Sequence, residues 1–98
     1  MSLQFIGDAG VYFPERDAVK VTAIAGDSII DCYVTRSALE AIGCKPTDEA
    51  QHIVGQFEKR RLDCEIAAIV KFRRATAKLL SMEITAADLA GIDRAHAA

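Results

Sequence analysis

The chain has no long apolar run. Its longest uninterrupted stretches are four or five residues, as in Ile66–Val70, against the roughly 20 that a membrane-crossing helix needs. The opening MSLQFIGDAG carries neither a basic segment nor an apolar core of the kind that directs export. No bilayer contact is expected, and the cytoplasm is the expected location. Cysteine is scarce and odd in number: Cys32, Cys44 and Cys64 stand 12 and 20 residues apart with no CxxC, which fits neither a disulfide framework nor a zinc ribbon. Histidine is scarcer still, with His52 inside a predicted helix and His96 near the end of the chain. A Ser/His or Cys/His nucleophilic set therefore lacks its base, and no GxSxG elbow is present. The glycines of GDAG (Gly7 to Gly10) and AGDS (Ala25 to Ser28) lack the spacing of phosphate-cradling loops and read as turns. Cys44, His52 and Cys64 do not make four metal ligands at a familiar spacing. The paired acids Asp27 and Asp31, or Asp48 and Glu49, fall at turn, strand-surface and cap positions where a carboxylate stays solvated. No cofactor, metal or catalytic residue is expected.

What is present is one domain's worth of chain. The 98 residues are 51% hydrophobic and 27% charged, close to the globular norm, with no internal repeat and no low-complexity linker. We expect a single domain over residues 1–98, a core between about residues 4 and 92, and a frayed tail. The net charge of −2 hides an asymmetry. From Phe57 to Leu80 seven basic residues face three acidic ones, a surplus of four, so the remainder carries −6.

The first third alternates as strands do. Val11 to Phe13 is a β-prone triplet closed by Pro14. Val19, Val21 and Ala23 alternate with Lys20 and Thr22, and Ile30, Cys32 and Val34 alternate with Asp31 and Tyr33, around a Gly26-Asp27 turn. A hairpin follows from that pattern. Thr35 or Ser37 can cap a short helix that Gly43 stops. Beyond Pro46, Thr47 or Asp48 can open one long helix reaching the mid-seventies. On it Ile53, Phe57, Cys64, Ala68, Phe72 and Ala75 share one arc, while Leu62, Ile66 and Ile69 form a second strip on roughly the opposite side. Leu79 to Ile84 reads as a late strand, and Thr85 with Asp88 as the start of a last short helix. The predicted fold class is α+β: two layers, with an antiparallel sheet from the hairpin and the late strand packed against a long helix and short helices.

FEKRRLDCEIAAIVKF, Phe57 to Phe72, resembles the signature of the small bacterial family called domain of unknown function 1488, with Phe57, Arg61, Glu65, Ala68 and Lys71-Phe72 in matching places. The hairpin is similar to that family's at Ala18-Val19, Ala23, Cys32, Val34, Thr35 and Leu39, and Glu83 to Leu89 resembles its closing strand and Ala-Asp-Leu. Departures are Val21 in place of Phe, Cys64 in place of Ile, and Gly26 one place early. The resemblance implies an antiparallel sheet packed against helices. It implies no activity, because the family has none established.

Two groups of side chains are the candidate binding residues. Arg60, Lys71, Arg74 and Lys78 fall on one stripe of the predicted long helix, with Ala67 between them, and such a stripe can neutralise a few phosphates. The overall pI near 5.6 and the lack of interleaved aromatics favour an ordinary solvated face over a nucleic-acid surface. Arg61, flanked by Glu58 and Glu65, sits beside the apolar arc. An internal ion pair accounts for it, and a small anion held by Arg61 with Glu65 nearby is the sharper alternative. The expected function is a non-enzymatic interaction or regulatory module. The runner-up readings are a nucleic-acid accessory protein using the basic stripe, and a small-anion sensor or enzyme centred on Arg61. Because a single sheet covers only one side of a helix, the strip of Leu62, Ile66 and Ile69 either forms a homodimer interface or is covered within the chain by the short helix near Ser37–Ile42 and the C-terminal turn near Ala86–Ile92.

Overall fold

A computed structural model describes the chain except residues 1, 2, 8, 76–79 and 98, with side chains described as far as residue 91. The elements in order are β1 (Leu3–Phe5), β2 (Val11–Phe13), β3 (Ala18–Ala25), β4 (Ser28–Val34), α1 (Arg36–Ala41), α2 (Ala50–Lys59), α3 (Arg61–Arg74), β5 (Ser81–Ile84) and α4 (Ala86–Ala97). The hairpin forms in the expected register, with Val19 opposite Val34 and Ala25 opposite Ser28. Its two-residue turn places Gly26 at φ +60°, a conformation open to a residue without Cβ.

The sheet runs β1-β3-β4-β5, with β2 on the same edge of β3 as β1. β1 takes the half of β3 nearest the hairpin tip, pairing Leu3 with Ala25, and β2 takes the other half, pairing Phe13 with Ala18. Every pair but one is antiparallel. β5 lies parallel to β4, Cys32 beside Met82, whereas the sequence pattern predicts a sheet antiparallel throughout. The reason is the connection. Three helices separate β4 from β5, and a crossover of that length returns the chain to the end where β4 began. β1 is also additional to the expectation, its three residues being too short to show a period.

The long helix is two helices. Arg60 sits between them at φ −116°, ψ 19°, with its N–H on the Phe57 carbonyl. A straight helix over residues 50–74 would be ~37 Å long against ~27 Å for an eight-residue strand. The break lets α2 lie on β2 and β3 while α3 lies on β1 and β5. Neither Thr47 nor Asp48 caps α2. Its N-cap is Glu49, and Asp48 instead accepts the Lys45 N–H at 2.7 Å. At the end of α1, Gly43 at φ +108° donates to Glu40 and Cys44 to Leu39, the paired bonds of a left-handed helix stop.

The core lies between the helices and one face of the sheet. Val19, Val21, Ile30, Cys32, Val34 and Ile84 are buried there against Leu39, Ile53 and Phe57. Of the arc foreseen on the helix, Ile53, Phe57, Cys64 and Ala68 are buried, Phe72 half-buried and Ala75 exposed. All three cysteines are buried thiols.

Candidate functional site

The candidate basic residues do not form one stripe. Arg60 lies at the helix break, its Nε donating to Asp63 at 2.7 Å. Ala67, expected on the solvated side, is 2% exposed, and one turn further on the Lys71 ammonium reaches across to α4. It donates to the Asp88 carboxylate at 3.1 Å and to the Glu83 carbonyl at 2.6 Å. The side of α3 that was to face solvent is therefore where α4 docks. Arg74 is exposed at the end of α3, and Lys78 lies outside the described residues.

Arg61 is held from both sides. Its Nε donates to Glu65 at 2.7 Å and its Nη1 to Glu58 at 3.1 Å, and its guanidinium carbon stands 5.8 Å from the centroid of the Phe57 ring. The same Glu58 carboxylate accepts the Gly10 N–H at 3.0 Å, tying the loop before β2 to the helix break. This is the internal ion pair the spacing suggested, with a backbone contact added. A crevice lined by Ala41, Ile42, Arg60, Asp63, Ala86, Leu89 and Ala90 has a volume of about 110 Å³, well below the roughly 300 Å³ at which small-molecule sites begin.

A second network was not visible in the sequence. Asp17, at φ +49° in the turn after β2, receives the Tyr12 hydroxyl at 2.7 Å and the Arg36 guanidinium through Nε at 3.0 Å and Nη2 at 2.6 Å. Hydrogen bonds from Arg36 and then Tyr12 hold the Asp17 carboxyl down to about 2. The left-handed turn position suits Asp, which is the one local signal. The Arg36 partner, 19 residues away, leaves none.

The thiols are inert by burial, which pushes Cys32 and Cys64 up to about 12 and Cys44 upward too. Among the described residues no three His, Cys, Asp or Glu side chains are placed to hold a metal, and His52 is exposed beside Asp48.

The helices leave the other face of the sheet uncovered, although Ala18 and Tyr33 at one end of it are buried. The register puts Ile6, Val11 and Phe13 on that face along one edge, Lys20, Thr22 and Ile24 along β3, Ile29, Asp31 and Tyr33 along β4, and Glu83 on β5. Four of the large apolar side chains most exposed among the described residues stand here: Ile6 at 46%, Val11 at 55%, Ile24 at 37% and Ile29 at 63%. At the opposite end Phe13 meets Tyr33 edge to face, Arg16 lies 4.1 Å over the Tyr33 ring, and Lys20 lies 5.4 Å from the centroid of Phe13. In the centre Lys20 and Asp31 stand 3.8 Å apart. The proposed second helical strip is less open. Leu62 is 68% exposed, but Ile66 and Ile69 are half-buried against the core.

Comparison with known proteins agrees with the fold and is silent on activity. The family described as "Protein of unknown function (DUF1488)" matches residues 3–80, so all of β5 and α4 follow the matched segment. A crystal structure of a protein of unknown function from the same family, from Shewanella loihica PV-4, superposes with a TM-score of 0.69 at 21% identity, covering 85% of this chain and 91% of that one. No functionally curated protein matches.

Proposed function

This chain belongs to the DUF1488 family, and from that premise we propose that it is a small non-enzymatic interaction module whose working surface is the open face of the sheet. The observation that carries the reading is the placement of Ile6, Val11, Ile24 and Ile29 together on one uncovered face. Apolar side chains gathered on an accessible face lose water on contact with a partner, at about 25 cal/mol for each Å² covered. Three of the cations that a phosphate-binding surface would use are committed elsewhere: Arg60 to Asp63, Arg61 to Glu58 and Glu65, Lys71 to Asp88. This favours the interaction reading over both runner-up readings, because a ligand at Arg61 or Lys71 has to displace a carboxylate already in place.

Site-specific photo-crosslinking in cells tests it. A photoreactive residue at position 29 should give discrete adducts, and one at position 73, on the exposed helical side, should give none. Adducts from position 73 alone would contradict the reading. So would steeply salt-dependent binding of labelled DNA or RNA that is lost on charge reversal of Arg74 and Lys78.

A further inference from the structure

We infer that the occupant of the open sheet face is a second copy of this chain; the inference rests on the reading of that face as the working surface. An isologous interface has to be complementary to itself, since the same patch is presented by both subunits. The charges on this face meet that condition: Arg16 and Lys20 against Asp31 and Glu83, two of each sign. A face evolved for nucleic acid carries an excess of positive charge, and one for a strongly charged protein carries an excess of the opposite sign. Neither excess is present. Lys20 and Asp31 are near the centre, 3.8 Å apart and 30% and 39% exposed. An ammonium with three donors at that distance has capacity for a second carboxylate. A two-fold axis lying across the strands between these rows brings each Lys20 beside the Asp31 carboxylate of the other copy.

The dimensions agree. Strand columns about 4.8 Å apart, with outward positions about 6.8 Å apart along each, four on the β1–β2 edge, four on β3, three on β4 and two on β5, span roughly 420 Å² per copy, or about 850 Å² for a pair. That lies just under the roughly 1,000 Å² of a stable specific interface, so the association is a weak and reversible one, for which an affinity on the order of tens of micromolar is expected. The sheet's edges offer less. β1 and β2 are three residues each, and on β5 the Glu83 carbonyl already accepts from Lys71, which blunts that edge against strand addition.

Sedimentation equilibrium over roughly 5 to 500 µM, the concentrations bracketing that estimate, tests the inference with charge-swapped variants. Wild type should show a monomer–dimer equilibrium. K20D and D31K should each self-associate at least about tenfold more weakly, because like charges then meet across the axis. An equimolar mixture of K20D and D31K should recover association. In the mixed dimer both contacts across the axis again set a carboxylate on one copy against an ammonium on the other, a rescue that misfolding of either variant cannot produce. Monomeric wild type throughout overturns the second copy as occupant while leaving the face available to another partner. A wild-type dimer indifferent to K20D and D31K but abolished by Leu62→Glu overturns both this inference and the sheet face as working surface.

Discussion

At the residue scale, Gly10 occupies a place where a Cβ would stand 2.7 Å from Val19 Cγ1 and 2.9 Å from Phe57 Cε2, two of the most buried side chains in the core. Gly10→Ala should therefore cost about 1–3 kcal/mol through overpacking, read as a lower denaturant midpoint with an unchanged slope. An unchanged midpoint would mean that the loop carrying Gly10 yields. Asp17 sets an acid limit. Its folded value is about 2 against an ordinary 3.8, so the stabilisation from the Arg36 and Tyr12 contacts is complete above about pH 4 and is lost as pH falls toward 2. The stability gap between wild type and Asp17→Asn should close over that window in urea melts, and a constant gap would contradict it. With their thiols buried, Cys32, Cys44 and Cys64 should react with a thiol reagent at pH 8 no faster than the protein opens. Immediate labelling of any one would refute that burial. The burial of Cys32 and Cys64 was legible from strand alternation and helical spacing, because each lies in a periodic run. The contact of Asp17 with Arg36 was not, because a left-handed turn residue does not identify a partner 19 positions on.

At the element scale, sequence periodicity reports which residues face inward but not how long an element stays straight. Ile53, Phe57, Cys64 and Ala68 are buried as the arc required, yet the break at Arg60 has no proline or glycine to announce it. It arises from fitting helices to a shorter sheet. The same limit hid the docking side of α3. Lys71 read as solvated because α4, whose Asp88 it meets, is distant in sequence, whereas Arg74 is exposed as its spacing suggested. The start of α4 is fastened in several ways: Asp88 accepts the Thr85 N–H at 2.8 Å and its hydroxyl at 3.1 Å, Lys71 pairs with Asp88, and the Ser37 hydroxyl accepts the Ala86 N–H at 3.1 Å. Ser37 thus serves α4 rather than its own helix, and Thr35 spends its hydroxyl on the Ile84 carbonyl. Asp88→Ala should cost about 1–2 kcal/mol and speed amide exchange in α4 ahead of β3 and β4. Uniform acceleration across the chain would show instead that α4 opens only with the whole domain.

At the scale of the whole molecule, one layer of helices covers one face of a five-stranded sheet and leaves the other with exposed isoleucines, mixed charge and blunted edges. The alternation of β3 and β4 already placed Lys20, Thr22, Asp31 and Tyr33 on a common outward side. Which side of the molecule stays uncovered depended on the crossover that brings β5 parallel to β4, and no local pattern encodes that. The helical strip of Leu62, Ile66 and Ile69 is an open face only on a single rod spanning residues 50–74. Once the rod breaks, Ile66 and Ile69 pack against the core and the larger open apolar surface is on the sheet. The most direct measurement is an amide chemical-shift dilution series across the same micromolar range. If the sheet face is the interface between copies, concentration-dependent shifts should concentrate on residues 20–24 and 29–33 and spare α2 and α3. Shifts centred on Leu62, or none at any concentration, would contradict it.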